Sequence, residues 1–141
     1  MNRPRVHRRQ IGVAAAALVF ACTIGVQAAD VSLTLSGGQE VPPVNTTARG
    51  SGTVKVNDDG TVSGSVNTTG IQATAAHIHS GASGKNGPVV IALSKGSNGN
   101  WMVPANAKLT PDQLKLFKSG ELYVNVHSAA HPDGEIRAQL K

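Results

Sequence analysis

Residues 121–140 read ELYVNVHSAAHPDGEIRAQL and contain two stretches in which apolar and polar residues alternate. The apolar residues of the two stretches are Leu122, Val124, Val126, Ile136, Ala138 and Leu140. Alternation with a period of two residues is typical of a β-strand that buries one of its faces. Pro132 and Gly134 lie between the stretches, where such residues mark a turn or loop. This part of the chain therefore predicts two half-buried strands.

Short runs of strand length recur through the rest of the chain, most of them alternating in the same way. They occupy residues 31–35, 53–56, 61–66, 75–79 and 89–93. The sequence NDDG at 57–60 joins two of them and predicts a hairpin. The run at 89–93 is apolar throughout, so we expect both of its faces to be covered. Short strands separated by frequent turn signals indicate an all-β fold, an antiparallel β-sandwich or Greek-key barrel.

One short helix is predicted near 111–118. Thr110 is a typical N-cap residue, and Pro111 suits the first helical position. Gln113 follows three residues after the cap, which completes a capping-box pattern. Gly120 is expected to end the helix, because glycine readily adopts the positive φ found just after a helix.

The formal net charge of +5 comes from 13 Lys and Arg residues against 8 Asp and Glu residues. Arg3, Arg5, Arg8 and Arg9 lie in the first ten positions, and residues 11–26 follow as an uncharged, mostly apolar run. This order is typical of a secretory signal peptide, which we assign to residues 1–28, with a single domain at 29–141. Its removal leaves nine basic residues against eight acidic ones, so we expect no nucleic-acid partner.

Three export routes are compatible with this N-terminal segment. They are the general secretory route, the twin-arginine route suggested by Arg8-Arg9, and the lipoprotein route suggested by VFAC at 19–22. The apolar run of about 16 residues is shorter than the roughly 20 that cross a bilayer as a helix. We therefore expect no membrane span after cleavage, and a periplasmic or secreted protein.

Four histidines follow the predicted signal peptide: His77, His79, His127 and His131. His77 and His79 are two residues apart on a predicted strand, so their rings project from one face with Cα atoms about 7 Å apart. His127 ends another strand and His131 follows in a loop, so both can reach the same point if the two strands are neighbours. Because an all-nitrogen ligand set suits copper or zinc, these four residues are the predicted metal site.

A shared metal ion sets a geometric requirement on these rings. Metal–nitrogen bonds are about 2.0 to 2.1 Å long, so a separation of the His79 and His127 rings beyond roughly 8 Å would exclude a common centre. Metal-binding histidines usually donate their second ring N–H to a carboxylate or a carbonyl. Asp133 and Glu135 are the nearby carboxylates in sequence, so either is expected to orient a ring.

The histidines also admit an interpretation without metal. His77 and His79 then lie at a sheet edge and form hydrogen bonds with backbone carbonyls of the Gly-rich loop at 80–88. In this case the four imidazoles anchor loops and have no ligand of their own.

The charged residues near the histidines favour a structural role. Arg137 is expected to form an ion pair with Glu135 on its own strand or with Glu40. No G-x-S-x-G motif accompanies the serines beside the histidines, so the sequence gives no support for a serine hydrolase.

Three segments of the chain together resemble the chordin-type domain, CHRD. They are GQEVPPV at 38–44, AAHIH at 75–79 with its Gly-rich continuation to 90, and LYVNVH at 122–127 with HPDGEIR at 131–137. The resemblance implies an extracellular or periplasmic β-sandwich module, found in animal chordins that bind bone morphogenetic proteins and in many bacterial proteins. The chain lacks the cysteine-rich modules of chordins, so growth-factor antagonism is not carried over.

Three functions follow from these observations. The first is a non-enzymatic, exported CHRD binding module with a histidine-based copper or zinc site. The second is a metal-free envelope or extracellular domain that has a structural role or binds another protein. The third is a copper enzyme, because an H-x-H strand with further histidines is similar to the copper site of Cu/Zn superoxide dismutases.

Overall fold

The computed structural model describes residues 28–141. Its elements are, in chain order, β1 (Ala28–Ser36), a 3-10 turn (Gly37–Gln39), β2 (Arg49–Asn57), β3 (Val62–Thr69), β4 (Ala73–Ser80), β5 (Val89–Ala92), β6 (Ser94–Lys95), β7 (Asn100–Met102), α1 (Pro111–Lys118), β8 (Leu122–Ser128) and β9 (Ile136–Gln139). The predicted signal peptide, apart from Ala28, lies outside the described residues and stays a prediction.

All nine strands form one sheet, in the order β5-β4-β8-β9-β1-β2-β3-β7-β6. Every pairing between neighbouring strands is antiparallel. Leu93 joins β5 to β6, the first and last strands of this order, and its N–H donates to the Ala76 carbonyl in β4. The sheet is therefore a nearly closed barrel, and the all-β antiparallel prediction is confirmed.

The core of the barrel holds the apolar face of each alternating strand. Leu35, Val54, Val66, Ile78 and Val124 are among its fully buried side chains. Burying a side chain of this size stabilises the folded state by about 1.5 to 3 kcal/mol. The period-two pattern in the sequence thus corresponds to a closed apolar interior.

The single helix in residues 28–141 is α1, and it has the predicted capping box. The Gln113 N–H donates to Thr110 Oγ1 at 3.2 Å, and the Thr110 N–H donates to Gln113 Oε1 at 2.9 Å. Pro111 occupies the first turn, and Gly120 follows the helix with a φ of +71°. The prediction of a short helix near 111–118 is confirmed.

Strand β5 differs from its prediction. Val89 is 52% exposed, and Ala92 is also exposed, although Ile91 is buried. The expectation that both faces of the run at 89–93 are covered is wrong. β5 is the first strand of the sheet and has a single hydrogen-bonded strand neighbour, β4, so fewer elements cover it than a central strand.

The outer face of β8 is covered as well as the inner one. All seven residues of this strand are buried, including the polar Asn125 and His127. Hydrogen bonds join the loop at 81–88 to β8 and β9. Glu40, which directly follows the 3-10 turn after β1, accepts a hydrogen bond from Asn125 of β8. These loops create a second, polar layer outside the barrel, and the histidines lie in it.

Candidate metal centre

The strand register brings the histidines of β4 beside β8. His77 pairs with Asn125, His79 pairs with Tyr123, and Ala75 pairs with His127. Asn125 and His127 are two residues apart on β8, so His127 lies on the same face of the sheet as His77 and diagonally across from it. β4 lies between β5 and β8, so the expectation that His77 and His79 lie at a sheet edge is wrong.

Three imidazole rings converge on this face. Ring centroids are 5.5 Å apart for His77 and His79, 4.8 Å for His77 and His127, and 6.0 Å for His79 and His127. The last distance meets the 8 Å requirement for a common centre. One ring nitrogen from each histidine lies within 4.8 Å of the other two.

Backbone carbonyls fix the tautomers of two of the rings. His79 Nδ1 is 2.9 Å from the Gly87 carbonyl oxygen, and His127 Nδ1 is 2.9 Å from the Pro132 carbonyl oxygen. A carbonyl oxygen only accepts, so each Nδ1 carries a hydrogen and each neutral ring presents an unprotonated Nε2. These carbonyls take the orienting role that was expected of Asp133 or Glu135, so that expectation is wrong. The hydrogen bond to the Gly-rich loop, expected for a metal-free role, is formed by His79.

The third ring, His77, lies beside both of these rings. His77 Nδ1 lies 2.9 Å from His127 Nε2, and because that Nε2 is unprotonated, His77 Nδ1–H donates to it. His79 Nε2 is buried and has no hydrogen-bond partner in the described residues. A buried acceptor without a partner costs about 1 to 3 kcal/mol, and this one faces a cluster of further nitrogen ligands.

These distances fit a first-row transition metal ion. Two nitrogens bound to one ion at about 2.0 to 2.1 Å are at most about 4.2 Å apart. Three ligands of one ion cannot be collinear, and nitrogens on a tetrahedral ion are about 3.4 Å apart, so the nitrogens of the cluster, within 4.8 Å of one another, would need to approach by up to about 1.4 Å. Three imidazoles leave a fourth coordination position for water or another ligand.

A model of the CHRD domain family matches residues 31–140. The chain belongs to the CHRD domain family. The matched region contains all four histidines of the predicted metal site, and it confirms the resemblance carried by the three sequence segments. Neither the curated proteins nor the solved structures compared with the chain gave a significant match.

Burial affects the protonation of His77 and His79 in this CHRD domain. Burial, together with the neighbouring His127 and His79, lowers the pKa of His77. Burial also lowers the pKa of His79, against the opposing effect of the hydrogen bond to Gly87. Both rings are therefore neutral at pH 7, which is the form that binds a metal ion without first losing a proton.

Tyr123 supports His79 from within the sheet. The two rings are stacked, with centroids 4.9 Å apart and an angle of 6° between their planes. The Tyr123 hydroxyl accepts a hydrogen bond from the Gly87 N–H at 3.1 Å. The guanidinium carbon of Arg137 lies 3.5 Å from the Tyr123 ring centroid. The alternating pattern places Tyr123 on the His127 face, but nothing in the sequence identifies its contact with His79.

His131 is not part of the three-histidine cluster. Its backbone closes the turn after β8, since its N–H and carbonyl both form hydrogen bonds with Ser128. Its imidazole acts instead on Glu135, where it helps to lower the pKa of the carboxyl. The structure thus brings together three of the four predicted ligands.

The two acidic residues expected to pair with Arg137 have other partners. Glu135 accepts hydrogen bonds from Thr46 at 2.6 Å and from Ser128 at 2.5 Å. Although burial raises the pKa of Glu135, these hydrogen bonds lower it below its ordinary value. Within residues 28–141 neither Glu135 nor Glu40 forms a salt bridge with Arg137, so the predicted ion pairs are wrong.

The helix content of the CHRD domain bears on membrane insertion. The described part of the chain contains no helix of the length and apolar character that a bilayer span requires.

Proposed function

We propose that this CHRD-domain protein is an exported, non-enzymatic binding module that holds a copper or zinc ion through His77, His79 and His127. The pattern of residues 1–28 supports export to the periplasm or the cell exterior. The observation that carries the proposal is the buried, unpartnered Nε2 of His79, which faces the nitrogens of two other histidines.

The donor set favours copper or zinc over other ions. Neutral imidazole is a ligand of intermediate softness that suits these metals, and the three histidines supply no carboxylate that would favour calcium or magnesium. Affinity for a given nitrogen site rises toward Cu(II) and falls again at Zn(II). We therefore expect Cu(II) to bind more tightly than Zn(II).

The test is a titration of the purified protein with each metal. We expect a dissociation constant below about 10 µM and one ion per chain for Cu(II). The double substitution His77→Ala and His79→Ala should weaken binding at least about a hundredfold, since it removes two of three ligands. His131→Ala is the matched control, because it removes a histidine outside the cluster, and it should leave the affinity unchanged. Equal affinity in the wild type and the double variant would contradict the proposal.

A second candidate function is a metal-free domain that binds another envelope or extracellular protein. The hydrogen bond between His77 and His127 favours it, because it satisfies two of the three rings without a metal. The absence of Cu(II) and Zn(II) binding in the titration would select this function.

The dismutase-like alternative needs a separate measurement. The copper-loaded protein is compared with an equal concentration of free copper in a superoxide dismutation assay. As a binding module, the protein should not exceed the rate of the free ion. A faster rate that is lost in the double histidine variant would establish the enzyme instead.

A further inference from the structure

A polar cavity lies on the outer face of β9, and none of the three clustered histidines lines it. Its volume is about 250 Å³. Its lining includes Gly38 and Glu40 from one loop, Ser83 and Gly84 from another, and Arg137 from β9 itself. Two of these residues, Glu40 and Arg137, are ionisable groups that are almost fully buried.

Arg137 contributes a buried positive charge to this cavity. The residue is 1% exposed, and its guanidinium donates to Asn86 Oδ1, to the Ala82 carbonyl and to Gln139 Oε1. All three acceptors are neutral, and no carboxylate oxygen in residues 28–141 lies within 4.0 Å of it. A guanidinium has five N–H donors and keeps its charge in proteins, so it retains donor capacity for an anion.

Glu40 lines the same cavity but forms no salt bridge with Arg137 within the described residues. Its carboxyl accepts a hydrogen bond from Asn125 Nδ2 at 2.6 Å. Burial raises the pKa of Glu40 to about 7, although the positive charge of Arg137 and a backbone hydrogen bond from Val41 oppose the rise. Near neutral pH a large share of the Glu40 carboxyl groups is therefore protonated, and a protonated carboxyl can donate a hydrogen bond.

We propose that this cavity binds a small carboxylate anion. One carboxylate oxygen of the ligand would accept a charge-assisted hydrogen bond from an N–H of Arg137 that has no partner, either Nε–H or the second Nη1–H. The protonated carboxyl of Glu40 would donate a hydrogen bond to the same group. The site is built from other residues than the metal cluster, so its test does not depend on metal binding.

The size of the cavity limits the ligand. A water molecule takes about 30 Å³ of liquid volume, so about 250 Å³ corresponds to roughly eight waters. Pockets for drug-sized ligands begin at about 300 Å³. A carboxylate of two to three carbons, such as acetate or lactate, fits this volume together with some water.

The proposal is tested by titrating the purified protein with acetate, with acetamide as the neutral isostere and sulfate as a different anion. Binding is followed by calorimetry and by the Nε–H signal of Arg137 in a nitrogen-resolved NMR spectrum. We expect acetate to saturate the site and to bind at least about tenfold more tightly than acetamide or sulfate. Equal affinity for all three probes would overturn the carboxylate assignment.

Three variants locate the site. Arg137→Lys should weaken acetate binding at least about tenfold, because an ammonium has only three N–H donors and Asn86, Ala82 and Gln139 already accept three from this position. Glu40→Gln should bind acetate several-fold more tightly at pH 7.5, since the neutral amide removes the repulsion from ionised Glu40 and can still accept from Asn125. Weaker binding by Glu40→Gln would contradict the role assigned to Glu40.

Gly38→Leu covers the case in which Arg137→Lys does not fold. A Cβ at Gly38, which lines the cavity, would have no heavy atom within 4 Å, so a larger side chain is accommodated there and we expect it to narrow the cavity. We expect at least a tenfold loss of acetate affinity with the thermal midpoint retained. His131→Ala should bind acetate as the wild type does, because His131 belongs neither to the lining of the cavity nor to the metal cluster. Unchanged affinity in Gly38→Leu, or a loss of binding in His131→Ala, would overturn the proposal.

Discussion

His77 Nδ1 donates a hydrogen bond to His127 Nε2 across neighbouring strands, with 2.9 Å between the two nitrogens. His127 Nε2 is also the nitrogen that this ring has free for a metal ion, and in the proposed site His77 binds the ion through Nδ1. Metal binding and this hydrogen bond therefore exclude one another, and the proton on His77 Nδ1 must move or leave when an ion enters.

The first prediction concerns that proton. In the metal-free protein the hydrogen of His77 is on Nδ1, and after Zn(II) binding we expect it on Nε2, since Nδ1 then holds the metal. His79 and His127 should keep their hydrogens on Nδ1 in both states, because the carbonyls of Gly87 and Pro132 accept them. Long-range nitrogen–proton NMR spectra of the imidazoles distinguish these tautomers. An Nδ1 hydrogen that persists on His77 with Zn(II) bound would contradict this assignment.

The second prediction concerns the loop that holds His79. A Cβ at Gly87 would lie only 1.7 Å from the Ser80 carbonyl oxygen, so Gly87→Ala must displace the backbone. The displacement weakens the hydrogen bond from His79 Nδ1–H to the Gly87 carbonyl. It also weakens the hydrogen bond from the Gly87 N–H to the Tyr123 hydroxyl. Partners that orient a ligand are worth about 10- to 100-fold in metal affinity, so we expect a loss of at least tenfold in Cu(II) titrations.

Ser83→Ala is the matched control for that substitution. Ser83 is an exposed residue in the same loop, and it forms no side-chain hydrogen bond in the described part of the chain. Its replacement should leave Cu(II) affinity at the wild-type value. If both loop variants bind equally well, the loop does not position His79.

The third prediction is a pH-dependent stability from Glu40. Because its pKa rises from 4.5 to about 7 on folding, the folded state favours the protonated carboxyl, and this stability is lost as the pH rises from 4.5 through 7. Glu40→Gln has no carboxyl to ionise, so it does not lose this stability. The free energy of unfolding of the variant minus that of the wild type should therefore grow across that interval, by at most about 3 kcal/mol. Urea unfolding of both proteins at pH 4.5 and pH 8 measures the difference. A difference in unfolding free energy that shrinks with rising pH would show that burial does not raise the pKa of Glu40.

The fourth prediction has the opposite sign and comes from His77 and His79. Burial lowers the pKa of both rings below the ordinary value of 6.5, so the unfolded chain takes up protons before the folded protein does. Stability from these rings is present above pH 6.5 and is lost as the pH falls. In metal-free protein, replacing both with Gln should reduce the fall in unfolding free energy between pH 7.5 and pH 5.0. The same fall in both proteins would assign the effect to other groups.

The strands and the helix could be predicted because their signals are local. Alternation along residues 122–127 follows from the two faces of a single strand, and the capping box of Thr110 involves residues three positions apart. The shared face of His77 and His79 follows from the same alternation. The pairing of β4 with β8 needs contacts between residues about fifty positions apart, which no periodic pattern reports.

The outer layer could not be predicted for the same reason. The carbonyls of Gly87 and Pro132 orient the histidines, but irregular loops leave no periodic signal in the sequence. Glu135 was expected to pair with Arg137 because their side chains alternate to one face. In the folded chain the hydroxyls of Thr46 and Ser128 are within hydrogen-bond distance of Glu135 instead. Burial of Arg137 beside neutral acceptors could not be foreseen from charge alone.

The junction at Leu93 has a consequence for how this protein behaves among other chains. Open sheet edges offer unpaired backbone groups on which a second molecule can add a strand and begin an aggregate. Here the first and last strands are four and two residues long and are joined to each other through Leu93. The short, joined edges leave little room for a second molecule to add a strand. The domain has this protection without a disulfide, because residues 28–141 contain no cysteine.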